Sequence, residues 1–159
     1  MVVYRFGGCG YALAVCPISD TRRMMQLPRF LLAPALWRIL VIVWAGVLWW
    51  LSSQSSLPQP ASFEGVDKLE HTAYFAAGGA CFLLGLRLAG LVKRTFDAVA
   101  VTVLFCAIVG GVDEWHQMHT PGRSGGDIAD WLADSVGGII GAFAALAVQR
   151  WFGRDEAAA

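Results

Sequence analysis

Two short stretches of the sequence concentrate the side chains able to do chemistry. The first holds Asp67, Lys68, Glu70 and His71; the second holds Asp113, Glu114, His116 and Gln117, and Arg123, Asp127, Asp130 and Asp134 follow it. Carboxylates beside imidazoles suit proton transfer, whereas Lys68, His71 and Arg123 are the groups that would meet an anion or a carbonyl oxygen. Ser124 adjoins Arg123 but belongs to no recognised nucleophile turn, so no catalytic residue is assigned. His116 and His119, three apart and near Glu114, fall in what reads as a flexible connection and match no standard zinc pattern. Neither a metal nor a cofactor is therefore expected. The candidate cluster is Asp67, Lys68, His71, Asp113, Glu114, Gln117, Arg123, Asp130 and Asp134.

The elements that must position these groups are set by lipid. A chain of 159 residues that is 57% hydrophobic and only 15% charged lies far from soluble-domain composition. Within a bilayer the backbone must satisfy its own hydrogen bonds, and without the alternation of a barrel strand the apolar runs are helices. The expected fold is all-α, an integral membrane bundle of four transmembrane helices. The spans read as Leu36 to Leu51, Asp67 or Glu70 to Leu91, Thr95 to Trp115, and Asp127 to Trp151, each near the roughly 20 residues that cross a bilayer. Trp44, Trp49 and Trp50 suit a headgroup boundary. A polar loop with Ser52, Pro58 and Pro60 separates the first two spans, and Pro121, Gly122, Gly125 and Gly126 mark the connection from His116 to Gly126. Residues 1–35 read as a poorly ordered or interfacial arm, 36–151 as the transmembrane domain and 152–159 as a cytoplasmic tail. Cys16 after Tyr11 to Val15 has too short an apolar run for a lipoprotein signal, and Met24 and Met25 are alternative starts.

Charge sets the expected orientation. Ten of the 12 basic residues fall on one side of this four-span arrangement, and only Lys68 and Arg123 on the other. The basic side belongs in the cytoplasm, which places both termini inside and the candidate cluster at the outer face of a cytoplasmic membrane. Eight of the 12 acidic residues lie on that outer side. The net charge of zero argues against a nucleic-acid partner.

Periodicity then brings the helices together. Asp67, Glu70 or His71, Tyr74, Gly78, Cys81 and Gly85 form one stripe, and Asp127, Asp130, Asp134, Gly137 or Gly138 and Gly141 another. The Gly137 and Gly141 pair would let a neighbouring helix approach closely. A charge at mid-bilayer costs about 2.5–3.5 kcal/mol, so these carboxylates need partners. Arg123, with its planar fork, is expected to lie across two of them. Such a network serves either to fix helix register or to form an outward pocket for a ligand.

The same residues carry a resemblance. Asp67-Lys68-Leu69-Glu70-His71 with Tyr74, Phe75 and Gly78, and Asp113-Glu114-Trp115-His116-Gln117 with Pro121-Gly122-Arg123-Ser124, Asp130, Asp134 and Gly137, resemble the two motif blocks of the VanZ-like family of bacterial membrane proteins. Asp134 stands where that pattern often has Asn. The family is named for a member associated with teicoplanin resistance, and the resemblance implies a cell-envelope protein that influences glycopeptide sensitivity. The expected partners are membrane lipids or a lipid-linked cell-wall component, bound by Lys68, His71 and Arg123 and oriented by Asp113, Glu114, Gln117 and Asp130. The alternatives are an intramembrane hydrolase or transferase, with His71 as general base and Glu114 or Asp113 as general acid, and a proton-coupled transporter. Oligomeric state is not fixed by the sequence.

Overall fold

The computed structural model describes residues 29–55 and 65–153; Cys16, the Met24 and Met25 starts, and the prolines Pro58 and Pro60 lie outside the described residues, as does the tail from residue 154. A 3-10 turn, η1 (Arg29–Leu32), leads into α1 (Pro34–Ser52), followed by α2 (Val66–Leu88), α3 (Thr95–Met118) and α4 (Ile128–Gly153). The chain is an all-α membrane bundle. By length and composition α1, α3 and α4 are apolar enough to cross a bilayer. The 23-residue α2 is less apolar because Asp67, Lys68, Glu70 and His71 occupy its first turns. Large apolar side chains such as Ile42, Leu104, Ile108 and Phe143 remain exposed, as a lipid solvent permits.

Local signals explain the helix ends. Pro34 starts α1 at a position where its missing N–H costs nothing. The Trp37 indole ties η1 to α1 by donating to the Leu31 carbonyl at 2.8 Å. At the end of α2, Gly90 adopts a left-handed backbone, φ 69°, while its N–H and that of Leu91 reach back to the carbonyls of Arg87 and Leu86, both at 3.0 Å. This stop falls three residues before the expected Leu91. The α3 helix instead continues one turn past Trp115, so His116 is helical and His119 is its C-cap; the expected flexible loop at these two histidines is corrected. Of the expected N-terminal arm, residues 29–32 are helical and Pro34 already belongs to α1.

Small residues then bring the helices into contact. The principal contact is α2 against α4, where Gly137 and Gly141 receive the backbone of α2. A Cβ on Gly137 would lie 2.8 Å from that of Phe75, and one on Gly141 would meet the Ala76 carbonyl oxygen. Gly138, on an adjacent face, packs on Cys106 of α3. Phe75, Cys106 and Trp44 form one buried cluster, while Leu83, Leu84, Ala98, Ala142, Ala145 and Leu146 form a second nearer the other end. Trp44 thus belongs to the core, not to a boundary belt. Its ring fills the space that Gly78 leaves, and its indole donates to the Tyr74 carbonyl at 3.0 Å while the Tyr74 hydroxyl donates to the Trp44 carbonyl at 2.8 Å.

Candidate functional site

Successive helices alternate in direction, which brings the end of α1, the start of α2, the end of α3 and the start of α4 to one end of the bundle. All nine residues of the sequence-derived cluster lie at this end, on α2, α3, α4 and the α3–α4 connection. They divide into three linked groups.

The outermost group is built around Lys68. Its ammonium reaches Asp67 and Asp130 at 2.8 Å and Asp127 at 3.3 Å, joining the first turns of α2 and α4. Asp127 immediately precedes α4 and also accepts the Ala129 N–H at 2.8 Å, as an N-capping carboxylate does. That N–H, followed by the Lys68 ammonium, holds the Asp127 carboxyl below its ordinary range. The expectation that Arg123 would bridge two carboxylates is corrected here. Among the described residues Arg123 forms no ion pair, and its guanidinium donates to the Gln117 side-chain oxygen at 2.9 Å. The reason is placement: Lys68 projects between two acidic helix starts, where a compact ammonium with three donors serves three acceptors.

Arg123 begins the second group. Gln117 passes the contact on by donating to Asp113 at 2.8 Å, and the other Asp113 oxygen accepts from the Ser52 hydroxyl at the end of α1. Asp113 and Gln117 are one helical turn apart, so this link depends on the extra turn of α3. The Arg123 turn rests on the α1 end: Gly122 has φ 81°, and a Cβ there would lie 3.0 Å from the Ser55 carbonyl oxygen.

The third group is the most buried. His71 Nδ1 lies 2.8 Å from an oxygen of Asp134, which is fully buried. Among the described residues the second oxygen of Asp134 has no partner, and neither has Glu114 Oε1; Glu114 is only 5% exposed. Glu114 Oε2 accepts the Asp127 N–H at 2.9 Å, tying α3 to the start of α4. His71, Asp113 and Glu114 each offer a ligating atom, and these atoms lie within 4.8 Å of one another. His116 and His119 take no part in this set. His116 stacks on Trp49 with ring centroids 3.8 Å apart, and His119 Nδ1 is 2.7 Å from the Trp115 carbonyl oxygen.

Between the groups lies a cavity of about 430 Å³. Its polar wall includes Ser52, Ser55, Asp67, Glu70, His71, Asp113, Gln117, Arg123, Ser124 and Asp130; Leu48, Leu51 and Phe75 line its apolar side. Lys68, Glu114 and Asp134 do not line the cavity. Ser52, Ser55 and Tyr74 are lining residues that sequence reasoning did not assign to the cluster. Ser52 reads as loop because it ends an apolar run, yet it occupies the last turn of α1 and is 2% exposed. Only its position one turn after Leu48 on the same helix could have signalled an inward direction.

Comparison with known families matches residues 37–149, well over half of the chain, to the family model described as VanZ/LLP1. Comparisons with curated proteins and with solved structures gave no match.

Proposed function

The chain belongs to the VanZ/LLP1 family, and on that premise we propose that it is an envelope protein of the cytoplasmic membrane whose polar cavity faces outward and binds the anionic part of a lipid headgroup or lipid-linked cell-wall component. The observation that carries this reading is the placement of Arg123 on the wall of a 430 Å³ cavity, with the Ser52 and Ser55 side chains and the His71 imidazole on the same wall. A guanidinium, the Ser55 hydroxyl and an imidazole suit phosphate oxygens, while Asp113 and Asp130 accept from sugar hydroxyls or amines. The apolar wall formed by Leu48, Leu51 and Phe75 suits the start of an acyl or prenyl chain. With Arg38, Arg87, Lys93, Arg94 and Arg150 at the opposite end of the described residues, the positive-inside rule supports a cytoplasmic start of α1 and end of α4. A protein that holds such a lipid at the outer leaflet would also alter glycopeptide sensitivity.

A second reading is hydrolysis or group transfer on the same lipid. One observation favours it: Asp134 holds His71 by Nδ1, the arrangement that orients an imidazole for proton transfer. One preparation separates the readings. Lipids co-purifying from native membranes with wild type and with Arg123→Ala are compared by mass spectrometry. The binding reading expects one anionic lipid class to fall at least tenfold in the variant, with the bound species chemically unchanged in wild type. Equal lipid profiles contradict binding at this cavity, and conversion of an added lipid-linked substrate, lost in Glu114→Gln, would establish turnover.

A further inference from the structure

We infer that His71, Asp113 and Glu114 form a binding site for one divalent first-row metal ion of the Zn²⁺ or Mn²⁺ type, set at the cavity wall. The three residues come from α2 and the end of α3, and each offers a donor atom within 4.8 Å of the other two. One imidazole nitrogen with two carboxylates is a donor set that suits borderline divalent ions.

An independent observation points to a ligand. Glu114 is 5% exposed, and its Oε1 is buried without a partner among the described residues. A buried carboxylate oxygen with nothing to accept from is costly, and metal coordination is one of the few contacts that satisfies it. The surroundings are those of a ligated histidine. Asp134 occupies His71 Nδ1 at 2.8 Å, leaving Nε2 as the nitrogen able to ligate.

Charge gives the same answer. Asp113, Glu114 and Asp134 are 3%, 5% and 0% exposed, three carboxylates in one buried group. The nearby cations are engaged elsewhere: Lys68 with Asp67, Asp127 and Asp130, and Arg123 with Gln117. Two positive charges at the His71, Asp113 and Glu114 donors offset two of these three negative charges while the imidazole stays neutral, as ligation requires. Because His71 and Asp113 also line the cavity, a bound ion keeps positions open toward it. Sequence reading placed all three in the candidate cluster but gave them no metal role, because His71 is over 40 positions from Asp113 and Glu114.

The site stands whether or not the cavity takes a headgroup, and the test keeps the two apart. Full-length protein in detergent is stripped with EDTA, freed of chelator and titrated separately with Zn²⁺ and Mn²⁺, with bound metal measured per chain. Wild type is expected to bind one ion, and His119→Ala to bind equally well. Glu114→Gln and His71→Asn should weaken binding at least tenfold, and Asp134→Asn by about 10- to 100-fold as the group that orients the imidazole. Should a variant fail to fold, Mn²⁺ bound to wild type still reports through pulsed electron paramagnetic resonance, where coupling to an imidazole nitrogen is expected. Wild type that binds neither ion, bound Mn²⁺ with no nitrogen coupling, or folded Glu114→Gln and His71→Asn proteins that bind like wild type would each overturn the site.

Discussion

At the scale of single residues, the contrast between Lys68 and Arg123 shows what geometry adds to chemistry. A guanidinium is the better bridge between two carboxylates in general, but bridging requires acceptors on both sides of its reach. Lys68 has them, because α2 and α4 begin side by side with Asp67, Asp127 and Asp130. Arg123 has Gln117. The His71 and Asp134 pair is the residue-scale feature with the largest expected effect on stability, since Asp134 is fully buried. Removing one member of such a pair leaves the other charge uncompensated, at about 3–5 kcal/mol. In chelator, so that no ion contributes, His71→Ala should lower the unfolding free energy by that order. The double variant His71→Ala with Asp134→Asn should recover at least half of the loss, because the remaining side chain is then neutral. A double variant no more stable than the single one would show that the pair is not the source.

At the scale of elements, glycine placement decides which helices can touch. Gly141 of α4 lies against the Ala76 carbonyl of α2, whereas Gly46 of α1 has open space around it. Gly141→Val should therefore cost about 1–3 kcal/mol by overpacking, while Gly46→Ala should be neutral or stabilising by up to about 1 kcal/mol through helix propensity. Unfolding midpoints of the two variants in the same detergent check this, and equal responses would contradict a tight α2–α4 seam. The seam was legible in the sequence because Gly137 and Gly141 recur at helical spacing below three carboxylates. The apolar runs of α1, α3 and α4 were legible because each is long and apolar enough to cross a bilayer, whereas α2 carries Asp67, Lys68, Glu70 and His71 in its first turns. Less legible was the last turn of α3. His116, Gln117 and Met118 show no apolar period, and the bond from Gln117 to Asp113 that accompanies the turn is a side-chain contact. Trp44 could not be told from Trp49 and Trp50 by type; only the space beside Gly78 makes it a core residue. Ser52 and Ser55 were hidden because serines that follow an apolar run read as loop until a partner such as Asp113 is seen.

At the scale of the molecule, alternating helix directions convert four local patterns into one polar end. The residues that could meet a ligand come from the end of α1, the start of α2, the end of α3 and the connection to α4. Basic residues such as Arg87, Lys93, Arg94 and Arg150 lie at the opposite end, so the charge asymmetry of the sequence and the position of the cavity agree in direction. Whether the four helix ends share one outward compartment is read most directly by cysteine labelling on intact cells. In a background with Cys9, Cys16, Cys81 and Cys106 replaced, single variants Ser55→Cys, Ser124→Cys and Lys93→Cys, all at exposed positions, are treated with a membrane-impermeant maleimide. Ser55→Cys and Ser124→Cys should label without permeabilisation, and Lys93→Cys only after it. Labelling of Ser55→Cys and Ser124→Cys from opposite sides, or of both from the cytoplasm alone, would contradict a shared outward-facing site.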